Sequence, residues 1–225
     1  MDIVDRKRRF EEDDRMVVRE LESIGFFIDS VQTLVNTLEP YPEAVPVLVR
    51  MLSQVPNLVS KTVIARALSC KEAKGQAECA LIEEFCRTLP DSSPDADHFR
   101  WVVGNALEIL GSKEIATPLL RMIVDPRSGS SRGMLALAAG KTKDERFISP
   151  LLDMLTERAE VGHAAKALGM LGAEEAIAPL RQVADDRSLT KWQRQQAVKA
   201  IERIEKLGEK VRGKRHSRTP TPTVS

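Results

Sequence analysis

Three histidines, His98, His163 and His216, and three cysteines, Cys70, Cys79 and Cys86, are the residues with which this chain could hold a metal or activate a nucleophile. Their spacing supports neither role. No histidine stands beside a glutamate, and no two cysteines have the CxxC spacing of a zinc or redox site. Cys79 and Cys86 fall seven residues apart on one predicted helix. Two helical turns hold them about 10 Å apart, too far for a disulfide. An odd number of thiols in this pattern points to a reducing, cytoplasmic home. Gly140-Lys141-Thr142 matches the end of a phosphate-binding loop, GxxxxGK(S/T), but the first glycine of such a loop would be Leu135. The residues between continue a helix instead of leaving a strand. The acid pairs Glu174-Glu175 and Asp185-Asp186 fall at predicted turns, where solvated charges at helix ends account for them. His163 reads as an ordinary surface or groove histidine. The expectation is a chain with no catalytic residue, no metal and no cofactor.

What remains is a set of aromatic, amide and cationic side chains at helical spacing. A helix advances about 100° per residue, so Ala164, Leu168 and Leu171 share one face, the core face. Positions 159, 162, 163, 166 and 170 share the opposite one. Aligned segments carry His98, Trp101 and Asn105, then Met134, then His163 and Lys166, then Trp192, Gln195, Lys199 and Arg203 on that outward row. Trp and Arg supply large contact areas and directed hydrogen bonds, the usual anchors of a recognition surface. The expected binding residues are Trp101, Asn105, His163, Lys166, Trp192, Gln195, Lys199 and Arg203.

The elements that must position them are helices. Aromatic residues make up only 4% of the chain, while Ala, Leu, Val, Glu, Lys and Arg dominate, a composition of packed helices and not of sheets. The chain is also repetitive. Val103–Leu110 (VGNALEIL), Ala164–Leu171 (AAKALGML) and Ala197–Ile204 (AVKAIERI) align without gaps, and Ile64–Lys71 and Leu135–Thr142 align more loosely. Their central alanines, Ala67, Ala106, Ala138, Ala167 and Ala200, are 39, 32, 29 and 33 residues apart, a period that signals stacked helix pairs. A second element follows ten residues on, with Pro118, Pro150 and Pro179 in matching positions and Pro46 in an earlier copy. Proline is tolerated in the first turn of a helix, so each unit reads as helix A, a turn and helix B. Cys79 stands in place of that proline near the second repeat, and Lys143 stands where other repeats have Gly111 and Gly172.

The segments Ala164–Leu180 (AAKALGMLGAEEAIAPL) and Leu135–Leu152 (LALAAGKTKDERFISPLL) resemble the HEAT-like repeats of bacterial scaffold proteins and of phycobilin lyases. The resemblance spans about residues 44–205. It implies an all-α fold, a right-handed α-solenoid of about five helix pairs whose B helices line a concave surface. Residues 1–43 are expected to cap the repeats, with helices over 6–24 and 26–38. Residues 44–206 form the repeats, and 207–225, charged and proline-bearing, read as a disordered basic tail. The charged opening of the chain has no apolar run suited to export or membrane insertion.

Such a stack needs no self-association, so a monomer is expected. The function this implies is a non-catalytic adaptor or scaffold that binds a protein partner on the concave B-helix surface. A nucleic-acid role is the alternative, because residues 190–218 carry ten Lys or Arg against three Glu. That end has no regular groove spacing and no stacking aromatics in the tail, so such contact would be weak, non-specific and salt dependent. Lyase-like or glycosylase-like catalysis would rest on fold analogy alone.

Overall fold

The computed structural model describes residues 3–111 and 113–216, which form twelve α-helices joined by turns and short 3-10 segments, with no strand among the described residues. They divide into two compact units, Met1–Thr142 and Lys143–Ser225. The first holds α1 (Ile3–Glu22), α2 (Gln32–Asn36), α3 (Val45–Gln54), α4 (Leu58–Ala67), α5 (Glu78–Thr88), α6 (Pro94–Leu110), α7 (Ala116–Val124) and α8 (Arg132–Thr142). The second holds α9 (Ile148–Met154), α10 (Val161–Leu171), α11 (Ile177–Asp185) and α12 (Lys191–His216). Three A/B pairs lie in the first unit and two in the second, the number that the repeat predicts.

Within the first unit the A helices α3, α5 and α7 are neighbours in one layer, and the B helices α4, α6 and α8 in another. In the second unit α10 packs on α12, with α9 and α11 as their partners. Each helix has one apolar face that only a neighbour can cover. Leu48, Leu52, Ile64, Phe85, Phe99 and Leu107 are buried between the layers of the first unit, and Phe147, Leu151, Leu168 and Leu180 in the second. All five aligned alanines are buried. Pro46, Pro118, Pro150 and Pro179 stand in the first turn of α3, α7, α9 and α11. Helix α5 starts without a proline: the buried Glu78 carboxylate accepts the Gly75 N–H at 2.9 Å and organises the entry to the helix.

Gly111 and Gly172 end α6 and α10 in the left-handed conformation (φ 55° and 78°). Lys143 does the same after α8 with φ 63°, the one non-glycine residue with positive φ among the described residues. Its ammonium donates to the Met170 carbonyl at the end of α10. Left-handed backbone costs a side chain about 1 kcal/mol, and a charged hydrogen bond at a partly exposed helix end returns about the same. Lys143→Gly is therefore expected to leave stability unchanged within about 0.5 kcal/mol, whereas Lys143→Ala, which keeps the strain and loses the bond, is expected to cost about 1 kcal/mol. Urea denaturation of the two variants measures this, and an Lys143→Ala variant as stable as Lys143→Gly would refute the assignment.

Two expectations at the ends of the chain are corrected. Residues 26–38 are not one helix: α1 ends at Glu22, Gly25 turns the chain with φ 80°, and only Gln32–Asn36 is helical. The cause is Asp14, whose carboxylate accepts the Val31 N–H at 2.9 Å and the Ser30 hydroxyl at 3.2 Å. That anchor points Val31 and Leu34 into the core and leaves Phe27 and Leu38 at 77% and 100% exposure. At the other end α12 runs through His216, well past Leu207, where order was expected to stop. Leu207 lies against Gly172, 3.2 Å from where a Cβ on that glycine would sit, and the Lys, Glu and Arg residues beyond are good helix formers. The rest of the expected tail lies outside the described residues.

Candidate functional site

Small residues on α10 decide the geometry of the second unit. A Cβ added to Gly169 would stand 2.7 Å from the Cα of Ala200, and one added to Gly162 would clash with the six-membered ring of Trp192. The absence of both side chains lets α12 lie close against α10 and lets the indole settle across the α10 backbone. Trp192 is 45% exposed, so its ring is seated on one side and open on the other. Its edge meets His163, with ring centroids 5.1 Å apart and planes at 61°, a favourable aromatic geometry. His163 is partly buried, and its Nδ1 has no hydrogen-bond partner and lies 3.8 Å from a carboxylate oxygen of Glu160. Burial and then the nearby Lys166 charge hold its pKa below the usual histidine value, so the ring is neutral at pH 7.

Trp192, Gln195, Lys199 and Arg203 recur every three or four residues and share one face of α12. Gln195, Lys199 and Arg203 are exposed, as is Lys166 on α10. Neither Lys166, Lys199 nor Arg203 has an ion-pair partner among the described residues. Burial lowers the Lys143 pKa, and the charge of Arg203 lowers it further, so cations on this face lie near other cations.

In the first unit Trp101, 39% exposed, stacks on His98 with centroids 6.4 Å apart and planes at 9°. Asn105, one turn along α6, is half-buried. Gly104 brings α8 close, since a Cβ there would meet that of Met134 at 2.9 Å. A hollow of 160 Å³ beside His98 is lined by Val59, Thr62, Val63, Arg66 and Asp95. Of the residues expected on the outward row, the structure brings His163 into contact with Trp192, and it sets Trp101 on His98. Positions 162 and 170 are corrected: Gly162 and Met170 are buried, the glycine because Trp192 covers it. Gly162 and Gly169 were missed as contact residues, although small residues seven apart on a helix are the sequence signal of close helix approach.

The Gly-Lys-Thr sequence has structural employment. Lys141 of the Gly-Lys-Thr sequence donates to the Glu108 carbonyl at 2.6 Å and pairs with its carboxylate at 2.9 Å, while Thr142 is buried and donates to Ala139. That lysine ties α8 to α6 within the first unit. Cys79 and Cys86 lie exposed on α5, and burial pushes the thiol of the half-buried Cys70 up from its ordinary value, the opposite of an activated thiolate. No group of three or more His, Cys, Asp or Glu able to hold a metal occurs among the described residues, and none of their helices is long and apolar enough to cross a membrane.

An all-helical architecture of paired helices among the described residues, with a period near 33 residues, defines the class as helical-repeat proteins. Residues 162–186, which are most of α10 and all of α11, match the family model described as the PBS lyase HEAT-like repeat. The chain therefore carries a HEAT-like repeat, the class that the aligned segments resemble. No curated protein matches the chain.

Proposed function

We propose that this chain is a non-catalytic binding module that recognises a protein partner on the α10–α12 face of its second unit. The observation that carries the reading is Trp192: a large aromatic held open to solvent on a glycine seat and a histidine edge, with unpaired cations along the same helix. Leaving such a ring half in water gives up burial energy that the core could use. A rigid, preplaced tryptophan is what protein interfaces use as an anchor. Trp101 with Asn105 on α6 is a second patch of the same chemistry. The HEAT-like repeat supports a scaffold role, and the lyase in its family name supports no residue assignment here. The basic α12 favours nucleic acid as the second reading.

The test is photo-crosslinking from the full chain in extracts of cells that produce it, with and without nuclease. A photoreactive residue at Gln195 is expected to capture a discrete protein, and one at Gln182 on α11 is not. Trp192→Ala should abolish capture while leaving the helical circular dichroism unchanged. Capture from Gln182 but not Gln195 would move the site, and capture lost with nuclease would favour the nucleic-acid reading.

A further inference from the structure

We propose that the segment this face accepts is acidic, a stretch of polypeptide that sets an apolar side chain on Trp192 and its carboxylates along Lys166, Lys199, Arg203, Lys206 and Lys210. The inference rests on the α10–α12 face being the recognition surface and adds the chemistry of the partner.

The charge distribution points that way. At about 100° per residue, Trp192, Lys199, Arg203, Lys206 and Lys210 fall within about 60° of one another around α12, forming one stripe. No acid lies within the stripe. Glu202 stands at its edge, and Glu205 faces away, 3.6 Å from Arg181. Neither the four cations of the stripe nor Lys166 on α10 has an ion-pair partner among the described residues. Arg203 also lies near the Lys143 ammonium, whose pKa its charge lowers. A row of unneutralised like charges on rigid helices is repulsive when empty and relieved by an occupant of opposite sign.

The form of the stripe favours carboxylates on a peptide over the phosphates of a nucleic acid. One tryptophan gives a single anchor, whereas single-stranded nucleic acid is held by successive aromatic platforms. From Trp192 to Lys210 the helix rises about 27 Å at 1.5 Å per residue. An acidic helix of about five turns, or about eight extended residues, matches that length.

The experiment uses the full chain carrying Trp101→Phe, so that fluorescence reports Trp192 alone. It is titrated with synthetic peptides of about eighteen residues. One is rich in Asp and Glu with a single leucine, one is its Asn and Gln counterpart with the same leucine, and one is basic; a single-stranded oligonucleotide is the fourth probe. The acidic peptide is expected to bind with salt-sensitive affinity, about tenfold or more tighter than the neutral one. Lys166→Glu combined with Lys199→Glu and Arg203→Glu should remove that preference, and replacing the leucine by serine should weaken binding without changing its salt dependence. Equal binding of acidic and neutral peptides, both lost with Trp192→Ala when titrated by calorimetry, would overturn the acidic assignment and leave the recognition face standing. Tighter binding of the oligonucleotide than of the acidic peptide would overturn the choice of partner. Failure of every peptide, with Trp192→Ala also leaving cellular crosslinks unchanged, would overturn both.

Discussion

Gly169→Val is expected to destabilise the second unit by about 3 kcal/mol. Two effects compete. Glycine inside a helix is worse than alanine by about 1 kcal/mol, so propensity alone favours adding a Cβ. Against this, that Cβ would stand 2.7 Å from the Cα and 2.8 Å from the Cβ of Ala200. Both atoms belong to a helix that can yield only by moving as a body. Overpacking of this kind costs about 1–3 kcal/mol for the first carbon, and the valine methyls add to it. Gly169→Ala should therefore lose about 1 kcal/mol net. Ala200→Gly in the valine variant should recover only part of the loss, because the contact with the Ala200 backbone remains. Denaturation followed by Trp192 fluorescence in a Trp101→Phe background reports the second unit. A valine variant as stable as the parent would mean that α10 and α12 are not in close contact at this point.

Arg100→Met is the largest effect expected in the first unit, a loss of about 3–5 kcal/mol. Arg100 is only 4% exposed although it is charged. One guanidinium nitrogen donates to the carbonyls of Thr88 at 2.6 Å and Asp91 at 2.8 Å, joining the end of α5 to the turn that leads into α6. The other lies 3.7 Å from the Asp97 carboxylate. Methionine keeps most of the side-chain volume, so the cost is mainly electrostatic. It leaves the Asp91 carbonyl without that donor and the Thr88 carbonyl with only the Asp91 N–H at 2.9 Å, and each charge-assisted bond is worth about 1.5–3 kcal/mol. Loss of the desolvated guanidinium offsets some of this, which sets the upper bound. The measurement is the same denaturation followed by Trp101 in a Trp192→Phe background. A change below about 1 kcal/mol would show that water replaces the arginine without penalty.

The paired helices were legible because the code for them is local and repeated. Alanine at the centre of each B helix and proline in the first turn of most A helices state helix type, length and the buried face in a few residues. The second repeat, where Cys79 replaces the proline, follows the same plan, with the Glu78 carboxylate accepting the Gly75 N–H in the turn that leads into the helix. At the N-terminus the same periodicity misled: Val31 and Leu34 keep helical spacing, but the Asp14 carboxylate holds the backbone ahead of them out of helix. That bond joins residues 17 apart, and no local pattern records it.

From the sequence alone came the helical class, the pairing of A and B helices, and a row of polar and aromatic residues opposite the core. These follow from the periodicity of burial along a single helix. The structure alone decided which members of that row face solvent, because exposure depends on the helix that packs next. Trp192 and Gly162 are thirty residues apart in the chain and become one feature only when α12 lies against α10. The indole then buries a glycine that helical geometry places outward, and the stripe of cations beyond it is left open. Periodicity can say which way a side chain points, but only the neighbouring helix determines whether anything covers it.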